Sequence, residues 1–293
     1  MRKIIIDADP GIDDTFCILL ASTSKEFDIQ AVTTVAGNCN LDNATNNAFK
    51  ALSLADKNEI PVYKGMNKSL KSDDTDATYV HGSNGMGGID YTPIERNVED
   101  MHAVDYLIKT VNDNPKQITI LAVGPLTNIA SAILKDSNFV KNVKQLIIMG
   151  GSTDKGNVTP YAEFNFYKDP HAAKIVFEAD FDDIIMMGLN ITSNLPLNEH
   201  LENILYNHNS ELSSFLYSIT RTGANFDRSE GYDGLLIHDP ITIAYLIDPS
   251  IVELQKANIS IETDGEKAGK SNVTFVENSN CRVGIKVDTD KFY

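Results

Sequence analysis

Lys3-Ile4-Ile5-Ile6-Asp7-Ala8-Asp9-Pro10-Gly11-Ile12-Asp13-Asp14 is an apolar run that ends in acids and then turns. Three isoleucines ahead of a Pro-Gly pair predict a short strand with a sharp break after it. Asp13 and Asp14 suit the first turn of a helix, where the macrodipole favours negative charge. The opening unit therefore reads strand, turn, helix. Because Ile4 to Ile6 are apolar without alternation, both faces of the strand should be covered, as in a parallel sheet.

Working outward, the same unit recurs. Ile29 to Val35, Ile118 to Val123, Gln145 to Met149 and Ile184 to Leu189 are further strand-like runs, and Val283 to Val287 is the last. Helical stripes lie between them: Ala44, Ala48, Ala51, Leu52 and Ala55; then Met101, Val104, Leu107, Ile108 and Val111, stopped by Asn114-Pro115; then Leu126, Ile129, Ala130, Ile133 and Leu134. Asp169-Pro170 and Asp239-Pro240 each predict an N-cap followed by proline in the first turn. The expectation is one α/β domain spanning residues 1–293, an open, mostly parallel sheet flanked by helices. Ligands in such folds sit beyond the carboxyl ends of the strands. Polar clusters occur there: the acids from Asp7 to Asp14, Gly37-Asn38, and Gly150-Gly151 with Asn157, Glu163 and Asn165 beyond.

Asp7, Asp9, Asp13 and Asp14 fall within eight residues and would repel one another without a cation. An oxygen-only set suits a hard ion, Ca²⁺ or Mg²⁺. An EF-hand is excluded, because its twelfth position would be Ile18 or Leu20. Asp7-x-Asp9 also matches the nucleophile motif of Mg²⁺-dependent aspartyl phosphohydrolases, in which the first Asp is the covalent nucleophile. The Pro-Gly turn and the Asp13-Asp14 pair are not expected in that chemistry.

Composition narrows the classes further. Lys plus Arg is 25 against 41 Asp plus Glu, a net charge of −16. Such acidity opposes binding to nucleic acid or to an anionic membrane surface. No run is long enough for a membrane span, and no signal-peptide core is visible, so a cytoplasmic location is expected. Cys17, Cys39 and Cys281 are too few and too scattered for a disulfide framework and read as packing thiols.

Taken in series, the acidic turn, Asn38, His81-Gly-Ser-Asn-Gly-Met-Gly87, Gly124-Pro-Leu-Thr-Asn128, Met149-Gly-Gly151, Gly156-Asn157, Ala162-Glu163-Phe164-Asn165 and His238-Asp239-Pro240 resemble the inosine–uridine preferring nucleoside hydrolases. The likeness runs over nearly the whole chain. It implies hydrolysis of the N-glycosidic bond of a ribonucleoside, one bound Ca²⁺, and a homo-oligomer, dimer or tetramer. By position, Asp9, Asp14 and Asp239 would ligate Ca²⁺ through side chains and Val123 through its carbonyl. Asp13 would be the general base. Asn38, Asn157, Glu163 and Asn165 would grip ribose hydroxyls, with Met149 and Phe164 beside them. His238 would protonate the leaving base, His81 would belong to a glycine-rich flap, and Tyr232, Phe226 or Tyr161 would contact the base in a chain without tryptophan.

The chemistry agrees with those roles. Cleavage passes through an oxocarbenium-like ribosyl cation that surrounding acids stabilise. Each residue also has a plainer reading. Asp239 also reads as a helix cap alone, His238 as a structural histidine, Asn157 and Asn165 as turn residues, Glu163 as a solvated loop acid and Met149 as core. A ribose- or nucleoside-binding protein without turnover is a third functional class beside the hydrolase and the phosphohydrolase.

Overall fold

The computed structural model describes residues 1–71 and 77–293. Among these described residues, eleven strands follow in chain order: β1 (Arg2–Ala8), β2 (Phe27–Thr34), β3 (Val62–Lys64), β4 (Ile118–Ala122), β5 (Gln145–Met149), β6 (Ile184–Met187), β7 (Pro196–Leu197), β8 (Leu235–Leu236), β9 (Val252–Ile261), β10 (Ser271–Phe275) and β11 (Cys281–Val287). Nine of them form one sheet in the order β10-β9-β11-β6-β5-β4-β1-β2-β3. From β3 across to β11 every pairing is parallel, and β9 and β10 add an antiparallel edge.

Side-chain alternation sorts the sheet into two cores. Ile4, Ile6, Val32, Leu121, Ile147 and Ile185 face one layer of helices. Ile5, Ile120, Leu146, Ile148 and Met186 face the other. Helices Ile12–Thr23, Leu41–Leu54 and Pro240–Ile247 cover the first face, and Ala103–Asp113, Thr127–Lys135 and Pro170–Glu178 cover the second. This double cover is why the isoleucines of β1 show no polar alternation: each is fully buried, and burial of such a side chain is worth roughly 1.5–3 kcal/mol.

Strand order reverses at β1 and β4. The chain fills β2 and β3 on one side of β1, then returns to β4 on the other and continues to β5 and β6. The loops leaving β1 and β4 diverge at this point and open a crevice at their carboxyl ends. A helical pair, Glu199–Asn207 and Glu211–Ser229, lies between the short strands β7 and β8 and stands over that crevice. Among the described residues, no helix is long and apolar enough to cross a membrane.

Several local expectations shift. The third stripe runs past its helix's buried face, since Leu134 is exposed. The helix expected from Met101 begins at Ala103, with His102 as its cap. Ile184 to Leu189 is split, its last residue opening a short helix, Leu189–Thr192. Asp169 caps its helix as expected, accepting from Ala172 N–H. Asp239 does not: its backbone is already helical and its side chain makes no cap bond.

Candidate active site

Gly11 opens the helix Ile12–Thr23 in extended backbone, and its N–H donates to Asp14 Oδ2 at 2.9 Å. That bond turns the Asp14 carboxylate back toward β1. Asn38, beyond β2, holds two acids at once: its N–H donates to Asp9 Oδ2 at 2.7 Å and its Nδ2 to Asp14 Oδ2 at 3.0 Å. Glycine is required on both sides of Asp9. A Cβ at Gly37 would sit 2.0 Å from Asp9 Oδ2, and one at Gly124 would sit 2.6 Å from Oδ1.

The carboxylates of Asp13, Asp14 and Asp239 each present an oxygen within 4.8 Å of the others. Asp9, Asp13 and Asp14 each keep a buried Oδ1 with no hydrogen-bond donor. Native proteins rarely leave buried acceptors orphaned. Burial and mutual repulsion raise Asp9 and Asp239 well above the usual carboxylate range, and Asp14 to about 7. Burial raises Asp13 as well. A bare cluster of this kind is costly to ionise, and a cation among the oxygens would remove both penalties. The donor set therefore fits a hard divalent ion: it is all oxygen, anionic and otherwise unsatisfied.

Asp7 is not part of the cluster. Its Oδ1 accepts from Thr33 Oγ1 at 2.6 Å and from Asn128 Nδ2 at 2.8 Å, and the residue is fully buried within the sheet. Asp7 does not line the cavity above the cluster, as the nucleophile of the phosphohydrolase reading would have to.

A cavity of about 480 Å³ opens above the acids. Asp13, Asn38, His81, Val123, Met149, Asn157, Glu163, Phe164, Asn165, Tyr232, His238 and Asp239 all line it; Asp9 and Asp14 do not, and adjoin it through their bonds to Asn38. Glu163 is buried rather than solvated. It caps the helix Phe164–Lys168, with Oε1 accepting from Asn165 N and Oε2 from Phe166 N and Gly151 N. Burial outweighs those bonds and lifts its carboxyl to about 7. Asn165 Nδ2 donates to the carbonyls of Val123 at 2.8 Å and Met149 at 3.1 Å, tying β4 to β5. Asn157 Oδ1 accepts from Phe164 N–H, so these residues fix the loop and face the cavity together.

Two histidines stand on the rim. His238 Nδ1 lies 2.8 Å from Thr192 Oγ1. Burial pulls its pKa down, against the opposing pull of Asp13. His81 Nδ1 accepts from Ile12 N–H, and burial lowers this ring to about 4. It is thus neutral, with its ring proton on Nε2. The glycine-rich loop beyond it is anchored by Gly87 N to His81 O and by Thr222 Oγ1 to Gly87 O. Positive φ at Gly82, Gly85, Gly87 and Gly88 explains the glycines.

The sequence missed other lining residues. Asp227, Asn190, Tyr79 and the Asp154-Lys155 pair face the same cavity. Asp227 is buried, accepts from Leu236 N–H and is raised to about 6. Only the helical hairpin brings it there, and no local pattern marks it. Phe226 and Tyr232 line the cavity, whereas Tyr161 does not and instead carries Lys267 and Lys270 over its ring.

Comparison with known proteins then decides the family. The model for the inosine-uridine preferring nucleoside hydrolases matches residues 4–293. The chain belongs to the nucleoside hydrolase family. It is similar to the inosine-uridine preferring nucleoside hydrolase of Leishmania major, at 35% identity over 100% of this chain and 95% of that one. It is similar to uridine nucleosidase 1 of Arabidopsis thaliana, at 37% identity over 90% of this chain and 79% of the relative. A solved plant nucleoside hydrolase, PpNRh1, superposes with a TM-score of 0.93 at 36% identity, covering 99% of this chain and 96% of that one. Nucleoside hydrolases cleave the N-glycosidic bond of ribonucleosides.

Proposed function

We propose that this chain is a Ca²⁺-dependent ribonucleoside hydrolase that releases free base and ribose from uridine and inosine, in nucleoside salvage. The observation that carries the reading is the set of three buried carboxylate oxygens, on Asp9, Asp13 and Asp14, that no protein donor satisfies. Asp9, Asp14, Asp239 and the Val123 carbonyl would hold the ion. When bound, it supplies Lewis-acid polarisation and a fixed point for the ribose diol.

Asp13 takes a proton from the attacking water as the new C1′–O bond forms and the C1′–N bond breaks. Asp13 and Asp14 leave a helix about 100° apart, as 3.6 residues per turn dictates, so one can serve the ion and the other the water. Asn38, Asn157, Glu163 and Asn165 orient the ribose hydroxyls. Met149 and Phe164 pack on the sugar. His238 gives a proton to the departing base, His81 closes over it, and Tyr232 and Phe226 offer aromatic faces to it. The preference for uridine draws support from the uridine nucleosidase of Arabidopsis and from the lack of any tryptophan to stack a purine.

The direct test is free-base release from uridine, inosine and 2′-deoxyuridine, with and without chelator. Metal-dependent release from the ribonucleosides, with the deoxy compound much slower, is expected, because a site built to bond a hydroxyl discriminates strongly against its loss. Activity that survives chelation overturns the metal assignment. Tight nucleoside binding without products overturns the enzymatic one.

A further inference from the structure

The Gly124-Pro-Leu-Thr-Asn128 segment contributes Val123's neighbours to the site, yet its last two polar residues, Thr127 and Asn128, touch neither the cavity nor the acids of the cluster. Both are almost wholly buried. Buried polar side chains persist where their bonds hold something in place.

Asn128 bonds to three separate segments. Its Nδ2 donates to Asp7 Oδ1 at 2.8 Å and to the Thr34 carbonyl at 3.1 Å, joining the ends of β1 and β2. Its Oδ1 accepts from Met66 N–H at 2.8 Å, just beyond β3. The path then continues toward the site. The Met66 carbonyl accepts from Ala36 N–H at 3.0 Å, and Ala36 begins the turn that carries Gly37 and Asn38. Asn38 in turn holds Asp9 Oδ2 and Asp14 Oδ2. Thr127 reinforces the same loop from the adjacent position: its Oγ1 donates to Asp169 Oδ2, which also accepts from Leu70 N–H.

We propose that Asn128 is a positioning residue for the divalent-ion site, acting through Met66 and Ala36 to set the Asn38 turn that aims Asp9 and Asp14. The inference rests on the metal reading given above. No other residue type does this work at this place. The amide must donate twice from one nitrogen and accept at its oxygen, and an aspartate would set a second negative charge against Asp7. The fit is close, because a Cβ at Gly65 would lie 2.2 Å from Asn128 Oδ1. Gly65→Ala therefore displaces Asn128 from a position that touches no part of the cluster.

The experiment is a calorimetric titration of Ca²⁺ into wild type, Asn128→Asp and Gly65→Ala, paired with the melting temperature of each in chelator. Outer partners of metal ligands typically govern roughly 10–100-fold in affinity, and a loss of that order is expected in both variants. A merely structural role would lower the chelated melting temperature and leave the affinity unchanged, and that result overturns the proposal. If Asn128→Asp does not fold, Gly65→Ala decides by the same criterion. Absence of Ca²⁺ uptake by the wild type overturns the metal reading itself and this inference with it, whereas unchanged affinities in the variants overturn this inference alone.

Discussion

Asp13 and Asp14 are neighbours in the chain with different surroundings. Asp14 accepts from Gly11 and Asn38, while Asp13 faces the cavity and His238. Their roles should therefore separate by mutation. Asp13→Asn keeps shape and cannot accept a proton, so kcat should fall by roughly 10²–10⁴ while calorimetry still reports Ca²⁺ binding. A near-normal kcat would move the base elsewhere. For His238→Ala, the loss should be large on uridine and small on p-nitrophenyl riboside, whose leaving group departs without a proton. Equal losses on the two would make His238 a positioning group for the ribose or the fold. The three cysteines form a contrasting case. All are buried, and burial raises Cys17 and Cys281 to about 12. A disulfide reagent at pH 8 should leave these two thiols unmodified in the native protein and modify both in denaturant.

At the scale of elements, two Asp-Pro helix starts look alike in sequence and differ in use. Asp169 caps the helix Pro170–Glu178 and also accepts from Thr127 and Leu70. Asp239 leaves its helix uncapped and joins the acidic cluster instead. Asp169→Ala should thus lower stability by at least the roughly 0.5–2 kcal/mol of a lost cap, in chelator and in Ca²⁺ alike. Asp239→Asn should lower Ca²⁺ affinity and raise the melting temperature of the chelated protein, because it removes one of the mutually repelling charges. Thermal melts of both variants, each with and without Ca²⁺, separate the two roles. A fall in chelated stability for Asp239→Asn would contradict the repulsion argument for that residue.

For the whole molecule, the unsatisfied acids should make stability depend on pH and on a bound cation. Asp14 stands at about 7 in the folded chain against an ordinary 3.8. A carboxyl raised on folding contributes stability that is fully present below its unfolded pKa and lost as pH rises through the folded one. In chelator the melting temperature should therefore fall between pH 5.5 and pH 8. Ca²⁺ should raise it most at pH 8, since a ligand of the folded state alone stabilises by mass action. Asp7 and Glu163, both near 7, will leave part of the slope in the Ca²⁺-bound protein. A chelated protein with a flat profile across this range would contradict the repulsion argument.

Much of this was legible along the chain. The apolar runs specified a parallel sheet, because a strand buried on both faces cannot alternate. The acidic turn after β1 announced a carboxylate cluster, because that many carboxylates so close in sequence cannot lie far apart in space. What local pattern could not reach is direction and long-range company. Asp7 and Asp9 read alike, yet only the pairing of β1 with β2 and the packing of Asn128 turn Asp7 into the sheet and leave Asp9 at its end. The antiparallel edge of β9 and β10, the entry of Asp227 on the helical hairpin and the rejection of Tyr161 in favour of Phe226 and Tyr232 rest on contacts between distant segments. The sequence by itself determined which chemistry was present: the acids, the amides and the glycines that let them approach. Only the tertiary structure decided which oxygens lose their partners and meet across one crevice, because burial and pairing are properties of neighbours brought together by the sheet, not of positions along the chain.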